Sequence, residues 1–336
     1  MSTRADEVDR LARESGFSGV VRIDVDGRVE VEAAYGLASR AYGVANTPAT
    51  RLAVASANKA FTACTVVSLI ADGVLTLETT ARSLLGDDLP LIADDVTVEH
   101  LLTHRSGIGD YVDEDAGQTL DDYPPPPPGL VDTEDYLPAL DGHATKFAAG
   151  SAFSYCNGGY VVLALLAERA AGVPFADLVQ QRVCAPAEMA DTAFLRSDEL
   201  PPGAATGYGD AEGLRTNVFR VPVRGSGDGG IFTTVADVAA FWQAFFAGAI
   251  VSPTDVAQMV RLHSEIPEEK FNYGMGFWLA KDGDAVLLEG YDVGVSCRSV
   301  HDPAGPTTAT VIANTSEGAW PLARHLTATL IPTAYP

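Results

Sequence analysis

Residues 56–74 read SANKAFTACTVVSLIADGV, and this stretch decides the fold more than any other part of the chain. Its apolar side chains recur at helical spacing and Asp72-Gly73 weakens the run, so it predicts a helix that begins near residue 56. Ser56 and Lys59 are three positions apart, which places the hydroxyl and the ammonium on one helix face. The pair predicts an activated nucleophile, because a lysine in a partly dry site can lose its proton and activate a serine.

Residues 56–59 also have a second interpretation. A serine at a helix N-terminus is a common cap, and a lysine one turn later is often only a solvated charge. The positive end of the helix dipole also favours any anion that forms beside Ser56. The choice between cap and nucleophile therefore depends on the residues that the rest of the chain places nearby.

Strand patterns lie at both ends of the chain and helical patterns fill its middle. Near the N-terminal end, Asp26-Gly27 separates two β-rich runs and predicts a hairpin over residues 17–35. Further strand patterns cover residues 273–279, 285–289, 293–300 and 307–314. Further helical patterns cover residues 5–15, 97–103, 160–171, 175–183, 235–248 and about 321–330.

This order of elements predicts an α+β fold in a single domain over residues 1–336, because no linker-like composition divides the chain. We expect the α/β part at about 1–55 and 225–336 and the helical part at about 56–224. Two loops stand out within this plan. The glycine-rich stretch 225–230 predicts a tight turn, and the proline run 124–128 predicts an extended segment that follows several acidic residues.

The composition excludes several classes of protein. The 336 residues include 22 basic and 45 acidic side chains, so a formal net charge of −23 argues against nucleic acid or an anionic membrane as a partner. The four cysteines form no C-x-x-C pair and lie far from the six histidines, so we expect no metal and no cofactor. Neither a secretory leader nor a membrane-spanning apolar run is evident, and we expect a cytoplasmic protein.

A second candidate motif is FSYCNGGY at residues 153–160. In an extended segment Tyr155 and Asn157 point to the same side, which suits a phenol and an amide facing one cavity. The alternative is a polar loop that leads into the following helix.

With these motifs, the chain resembles the serine β-lactamase and DD-peptidase superfamily, closest to the class C β-lactamase-like branch that includes many esterases. The resemblance covers about residues 17–327. It implies a β-lactamase/transpeptidase-like fold, an antiparallel sheet flanked by helices with an inserted all-helical subdomain. Five segments follow the family's order: AYGLA at 34–38, SANK at 56–59, VEHLLTHRSGI at 98–108, FSYCN at 153–157 and GGIFTT at 229–234.

The resemblance implies a role for each matching residue. Ser56 is the acylated nucleophile, and its backbone N–H is one oxyanion donor. Lys59 is the partner base and Tyr155 passes the proton to the leaving group. Asn157 hydrogen-bonds Lys59 or the substrate amide. His104, within the segment 98–108, is interpreted as a structural turn residue together with Ser106 and Gly107.

The chain departs from the family in the third motif, which is usually Lys-Thr-Gly or His-x-Gly. The corresponding residues 289–296 read EGYDVGVS. One register places Tyr291 in the position of the cation. The other, which we favour because close approach of substrate needs glycine, places Asp292 there and keeps Gly294. In both registers the cation is missing, and we expect these residues and Val295 to border the substrate.

The missing cation bears on the substrate. Without it a substrate carboxylate loses its partner, and the net charge repels anions further. We therefore predict a serine hydrolase that forms an acyl-enzyme on a small carboxylic ester or neutral amide.

Three alternatives remain open. A transacylase of natural-product biosynthesis would use the same acyl-enzyme with an amine or alcohol acceptor. A D-aminopeptidase-like amidase would bind a substrate ammonium at Asp292 or at the acidic loop 113–122. A catalytically inert binding protein would keep the fold without turnover. The oligomeric state is not predicted.

Overall fold

A computed structural model describes residues 3–114, 126 and 129–334. The helices are α1 (Arg4–Glu14), α2 (Lys59–Ala71), α3 (Ala81–Leu85), α4 (Val98–Leu102), α5 (Leu137–Leu140), α6 (Asn157–Ala171), α7 (Phe175–Val179), α8 (Val235–Phe246), α9 (Pro253–Met259) and α10 (Trp320–Leu330). The strands are β1 (Gly19–Val25), β2 (Arg28–Tyr35), β3 (Leu37–Ser39), β4 (Val44–Ala45), β5 (Leu52–Ala53), β6 (Phe232–Thr233), β7 (Phe271–Tyr273), β8 (Trp278–Ala280), β9 (Val286–Asp292), β10 (Val295–Asp302) and β11 (Thr307–Ala313).

Strands from both ends of the chain form one antiparallel sheet. Its seven strands have the order β2-β1-β11-β10-β9-β8-β7. Strands β1 and β11 pair as the second and third strands of this order, with Gly19 opposite Ala313 and Val25 opposite Thr307. The two small additional sheets are β3 with β4 and β5 with β6.

The sheet is covered on both faces. One face packs on α1 and α10 through a cluster that includes Val8, Leu287 and Leu322. The other face packs on a larger cluster that contains α2, α6 and α8. Residues 59–69 of α2 are all buried, as expected for a helix that is apolar on every side and lies inside the protein. No helix in the described ranges is long and apolar enough to cross a membrane.

Several predicted boundaries are wrong. The single strand predicted at 273–279 is two strands, β7 and β8, because the chain turns through Gly274 and Gly276. Gly276 has a φ of 83°, and a side chain there would meet Ala63 of α2 at 2.5 Å. Helix α6 begins at Asn157, three residues before the predicted start. The helix predicted at 175–183 ends at Val179 and continues as a π-turn.

Two further segments differ from the prediction or lie outside it. Strand β9 extends to Asp292 and β10 begins at Val295, so the third motif straddles the tip of a hairpin. Most of the predicted acidic and proline-rich loop, residues 115–125 and 127–128, lies outside the described residues.

Strand β9 passes directly against the turn that carries Ser56. At Gly290 a Cβ atom would lie 1.9 Å from the carbonyl oxygen of Val54 and 3.0 Å from the amide nitrogen of Ser56. Backbone atoms cannot yield as a flexible side chain can, so glycine is required at this position.

We expect Gly290→Ala to lower the free energy of unfolding by about 1–3 kcal/mol, because the methyl group forces β9 away from the Ser56 turn. Gly305→Ala is the matched control, since its Cβ atom would meet only Asp302 Oδ2 at 3.7 Å. The control should stay within about 0.5 kcal/mol of the parent. Urea denaturation measures both, and equal unfolding midpoints for the two variants would contradict this packing.

Candidate active site

Ser56 lies in a 3₁₀ turn, Ala55–Asn58, immediately before α2. Ala55 has a φ of 45°, a left-handed conformation that is strained for alanine and persists only where the surroundings enforce it. The glycine-rich loop 225–230 is hydrogen-bonded to the end of this turn and to α2. Asn58 Nδ2 donates to the Ser226 carbonyl oxygen at 2.7 Å, and Thr62 Oγ1 donates to the Gly227 carbonyl oxygen at 2.6 Å.

Lys59 is buried directly behind the Ser56 hydroxyl, with 1% of its surface exposed. Its Nζ donates to Ser56 Oγ at 2.9 Å, to Asn157 Oδ1 at 2.8 Å and to the Asp228 carbonyl oxygen at 3.0 Å. Burial lowers the pKa of Lys59, and the nearby carboxylates, Asp228 first among them, partly oppose this. The amine is therefore held in contact with the hydroxyl and is easier to deprotonate than an exposed lysine.

The Tyr155 ring borders the same amine. Its centroid lies 4.8 Å from Lys59 Nζ. The ring stacks on Trp278 at 5.7 Å with an interplanar angle of 8°, and it also contacts the His104 ring at 4.3 Å. Burial, followed by the charge of Glu114, raises the pKa of Tyr155 well above its usual range, and a hydrogen bond with Ser56 acts in the opposite direction. Tyr155 is therefore a neutral phenol beside Ser56, able to donate a proton.

Asn157 is the first residue of α6, and both the oxygen and the nitrogen of its side-chain amide make hydrogen bonds. Its Oδ1 accepts from Lys59, and its Nδ2 donates to the Val112 carbonyl oxygen at 3.2 Å and to Glu114 Oε1 at 3.1 Å. Its backbone N–H and that of Gly158 donate to the two carboxylate oxygens of Asp110 at 2.5 and 2.8 Å.

Asp110 therefore anchors the start of α6. Burial raises its pKa to about 6, although backbone hydrogen bonds oppose the shift. The sequence offers no signal for Asp110, because its partners lie 47 and 48 residues further along the chain.

Asp228 is a second carboxyl group of the site, half-buried at the cavity, that the sequence interpretation missed. The glycine-rich loop predicts only a tight turn, yet Asp228 holds Lys59 through its carbonyl oxygen and accepts a hydrogen bond from the Tyr111 hydroxyl on its carboxylate. Burial raises its pKa, and Lys59 and Tyr111 act in the opposite direction. The sequence signal that could have identified Asp228 is its position as an aspartate within a run of glycines.

The third motif places its residues on different sides of the sheet. Gly290 and Asp292 are on the Ser56 side, where Asp292 interacts electrostatically with Asp228 and Lys59. Burial raises the pKa of Asp292 to about 7. The Tyr291 side chain turns to the other side, where its hydroxyl donates to Glu317 Oε1 at 2.6 Å and its ring lies 6.0 Å from Trp320.

Gly294 is required by the packing of the protein backbone, whereas the sequence interpretation explained this glycine by the close approach of a substrate. Gly294 forms the hairpin turn with a φ of 74°, and a Cβ atom there would lie 2.6 Å from the Tyr208 amide nitrogen. Its own N–H donates to Ser316 Oγ at 2.9 Å. The close approach is therefore between two backbone segments. Val295 follows as the buried first residue of β10.

A cavity of about 880 Å³ opens onto these groups. This volume is typical of sites for small molecules. Ser56 and Asn157 border it together with Asp228, and so do Tyr291, Asp292, Gly294 and Val295. Much of the remaining wall is apolar and comes from the segment 195–222, namely Leu195, Leu200, Val218, Phe219, Val221 and Pro222. Within the described part of the chain, no three His, Cys, Asp or Glu side chains are grouped to hold a metal ion.

Comparisons with known proteins identify the family to which the chain is similar. A family model described as Beta-lactamase matches residues 5–331. The chain is 33% identical over 235 residues to a D-aminopeptidase of Brucella ovis, covering 68% of this chain and 42% of that protein. It is 32% identical over 226 residues to the esterase EstB of Burkholderia gladioli, covering 63% and 56%. The chain thus spans between 42% and 66% of the length of the first curated relatives that it matches.

A solved structure extends the likeness over nearly the whole chain. The penicillin-binding protein from Bacillus halodurans superposes with a TM-score of 0.89 at 30% identity, covering 96% of this chain and 99% of that chain. This likeness confirms the predicted α+β, β-lactamase/transpeptidase-like fold. From the family match and the structural likeness together, the chain belongs to the Beta-lactamase family.

Proposed function

We propose that the chain is a serine hydrolase that cleaves esters or neutral amides through an acyl-enzyme on Ser56. The observation that carries the proposal is the 2.9 Å contact between Ser56 Oγ and the buried amine of Lys59. A serine hydroxyl is a weak nucleophile unless an adjacent base removes its proton, and a buried lysine with a lowered pKa supplies that base.

The steps follow from the positions of the groups. Neutral Lys59 accepts the proton of Ser56 as Oγ attacks the acyl carbon, and the backbone N–H of Ser56 donates to the developing oxyanion. Tyr155, neutral and beside Ser56, delivers a proton to the departing alcohol or amine and recovers one from the Lys59 ammonium, which returns Lys59 to its neutral form. Gly290 supports the oxyanion role, since any larger residue would crowd the Ser56 amide. Water then releases the acyl group, and an amine or alcohol in its place would make the same enzyme a transacylase.

The charge of the cavity favours substrates without a carboxylate. Its lining has one arginine and four carboxylates among the described residues, namely Arg220, Glu114, Asp198, Asp228 and Asp292. No lysine or arginine occupies the position of the family's third-motif cation. The apolar wall from segment 195–222 suits an ester or amide with an apolar group.

A fluorophosphonate probe tests the nucleophile. We expect one adduct on Ser56, found by intact mass and peptide mapping, because the probe reacts with activated serines. Ser56→Ala should carry no adduct and no ester-hydrolysis activity. A folded parent protein without adduct, or equal rates for parent and Ser56→Ala, would favour the inert binding protein.

The base should appear in the pH profile. Protonated Lys59 cannot accept the Ser56 proton, so kcat/KM for a neutral ester should fall as the pH is lowered through the pKa of Lys59. Burial lowers that pKa, so the midpoint should lie below the pKa of an exposed lysine. Lys59→Ala should reduce kcat/KM by about 10²- to 10⁴-fold. Lys281→Ala, a lysine bound to the Ile266 carbonyl oxygen, is the control. An unchanged pH profile in Lys59→Ala would exclude the proposed base.

A second candidate is an amidase for substrates that carry an ammonium group. Asp228 and Asp292 favour it, since both border the cavity and together supply negative charge. The relative named D-aminopeptidase gives independent support. Neutral substrates remain our first choice, because the pKa of Asp292, about 7, leaves that group partly protonated near neutral pH.

Asp292→Asn separates these two candidates. If Asp292 binds ammonium, KM for an amino-acid amide should fall as the pH rises through about 7, because the carboxyl group then ionises. Asp292→Asn should raise this KM by about 10- to 150-fold, the range for the loss of one hydrogen bond to a charged group, and remove the pH dependence. The N-acetylated amide is the neutral control substrate, and Asp284→Asn, an exposed site in the β8–β9 turn, is the control variant. Equal effects on both substrates would rule out the ammonium-binding role.

A further inference from the structure

We infer that His104 is a positioning residue that fixes Tyr155 and Asn157 for catalysis, an inference that rests on the proposed function. His104 follows α4 and is 1% exposed. Its Nδ1 accepts a hydrogen bond from the backbone N–H of Cys156 at 3.0 Å. Cys156 is the residue between Tyr155 and Asn157, so this bond holds the backbone that carries both side chains.

Two other contacts tie His104 to the same segment. Its carbonyl oxygen accepts from the Ser154 N–H at 3.0 Å. Its ring lies 4.3 Å from the Tyr155 ring, tilted by 34°, on a tyrosine that also stacks on Trp278. The main chain, the ring face and Nδ1 of one residue therefore restrain three successive positions, 154, 155 and 156.

Two features of His104, its backbone conformation and its buried Nε2, lower the stability of the protein. Its φ of 55° is in the left-handed region. Because Nδ1 accepts from Cys156, the ring proton is on Nε2, and Nε2 is buried without a hydrogen-bond partner among the described residues. An unsatisfied buried donor costs about 1–3 kcal/mol. Such costs are typical of residues that are kept for function, because a residue chosen for stability would avoid them.

The charge state of His104 is consistent with this role. Burial, and after it the nearby charge of Lys59, holds the pKa of His104 well below its usual range. The ring is therefore neutral, its Nδ1 lone pair stays available to Cys156, and it adds no second positive charge beside Lys59.

Substitution at His104 separates positioning from a turn role. In His104→Ala, kcat per fluorophosphonate-reactive site should fall by about 10- to 100-fold with KM within about threefold, because misplaced catalytic groups slow the chemical step. His104→Asn should recover to within about fivefold of the parent, since its Oδ1 can replace Nδ1 and asparagine tolerates positive φ. His325→Ala, whose ring hydrogen-bonds Glu7 far from this segment, is the control and should be unchanged.

Two results would overturn the inference. One is an unchanged kcat per reactive site in His104→Ala, which would leave only a turn residue. The other is an equal loss in His104→Ala and His104→Asn, which would exclude the Nδ1 acceptor.

If a variant does not fold, nitrogen NMR of the parent protein tests the inference instead, because it reports the tautomer and the titration of the His104 ring. We expect the Nε2–H tautomer of His104 from about pH 5 to about pH 9, without titration, and a titrating ring or the Nδ1–H tautomer would overturn the inference. Failure of the proposed function would look different, because the parent protein would then carry no fluorophosphonate adduct.

Discussion

The burial of one amine, that of Lys59, is the constraint on which the rest of the site depends. An ammonium group taken out of water has to meet oxygen acceptors or lose its proton. Its three acceptors come from three separate parts of the chain: the turn before α2, the first residue of α6 and the glycine-rich loop 225–230. Lys59 can be buried only when all three parts are in place, so a single side chain links the packing of the helical core to the geometry of the reaction.

Each part is held in turn by groups that do not touch the nucleophile. Asp110 binds the first two amides of α6, and Asn58 and Thr62 bind the glycine-rich loop to α2. Strand β9 packs against the Ser56 turn at Gly290. Ser56 thus lies in a turn that is supported by α2, by strand β9 and by a loop that is itself hydrogen-bonded to α2. Supports that are fixed in this way hold a side chain more precisely than a free loop can. Part of the chain's negative charge also lies inside, at Asp110 and Asp228, where it opposes the effect of burial on Lys59.

The sequence predicts those parts of the site whose geometry is local. Ser56 and Lys59 are one helical turn apart, and Tyr155 and Asn157 are two positions apart, so short-range spacing is sufficient to pair them. Asp110 and Asp228 are different, because Asp110 meets Asn157 across 47 residues and Asp228 meets Tyr111 across 117. The sequence also left two registers open for the third motif, and the structure was needed to choose between them. Alternation along β9 decides which side chain faces Ser56, and the end of that strand was not evident from its composition.

The pairing of β1 with β11 has a consequence for the order in which the protein is made. Ser18 and Asn314 hydrogen-bond across 296 residues, and contacts of such long range form late in folding. Strand β9, which packs on the Ser56 turn, leaves the ribosome only after the entire helical part has been synthesised. A growing chain therefore contains Ser56 and Lys59 for most of its synthesis without strand β9, which packs on their turn. The surroundings of Ser56 are therefore completed late in synthesis, when β9 becomes available to pack on its turn.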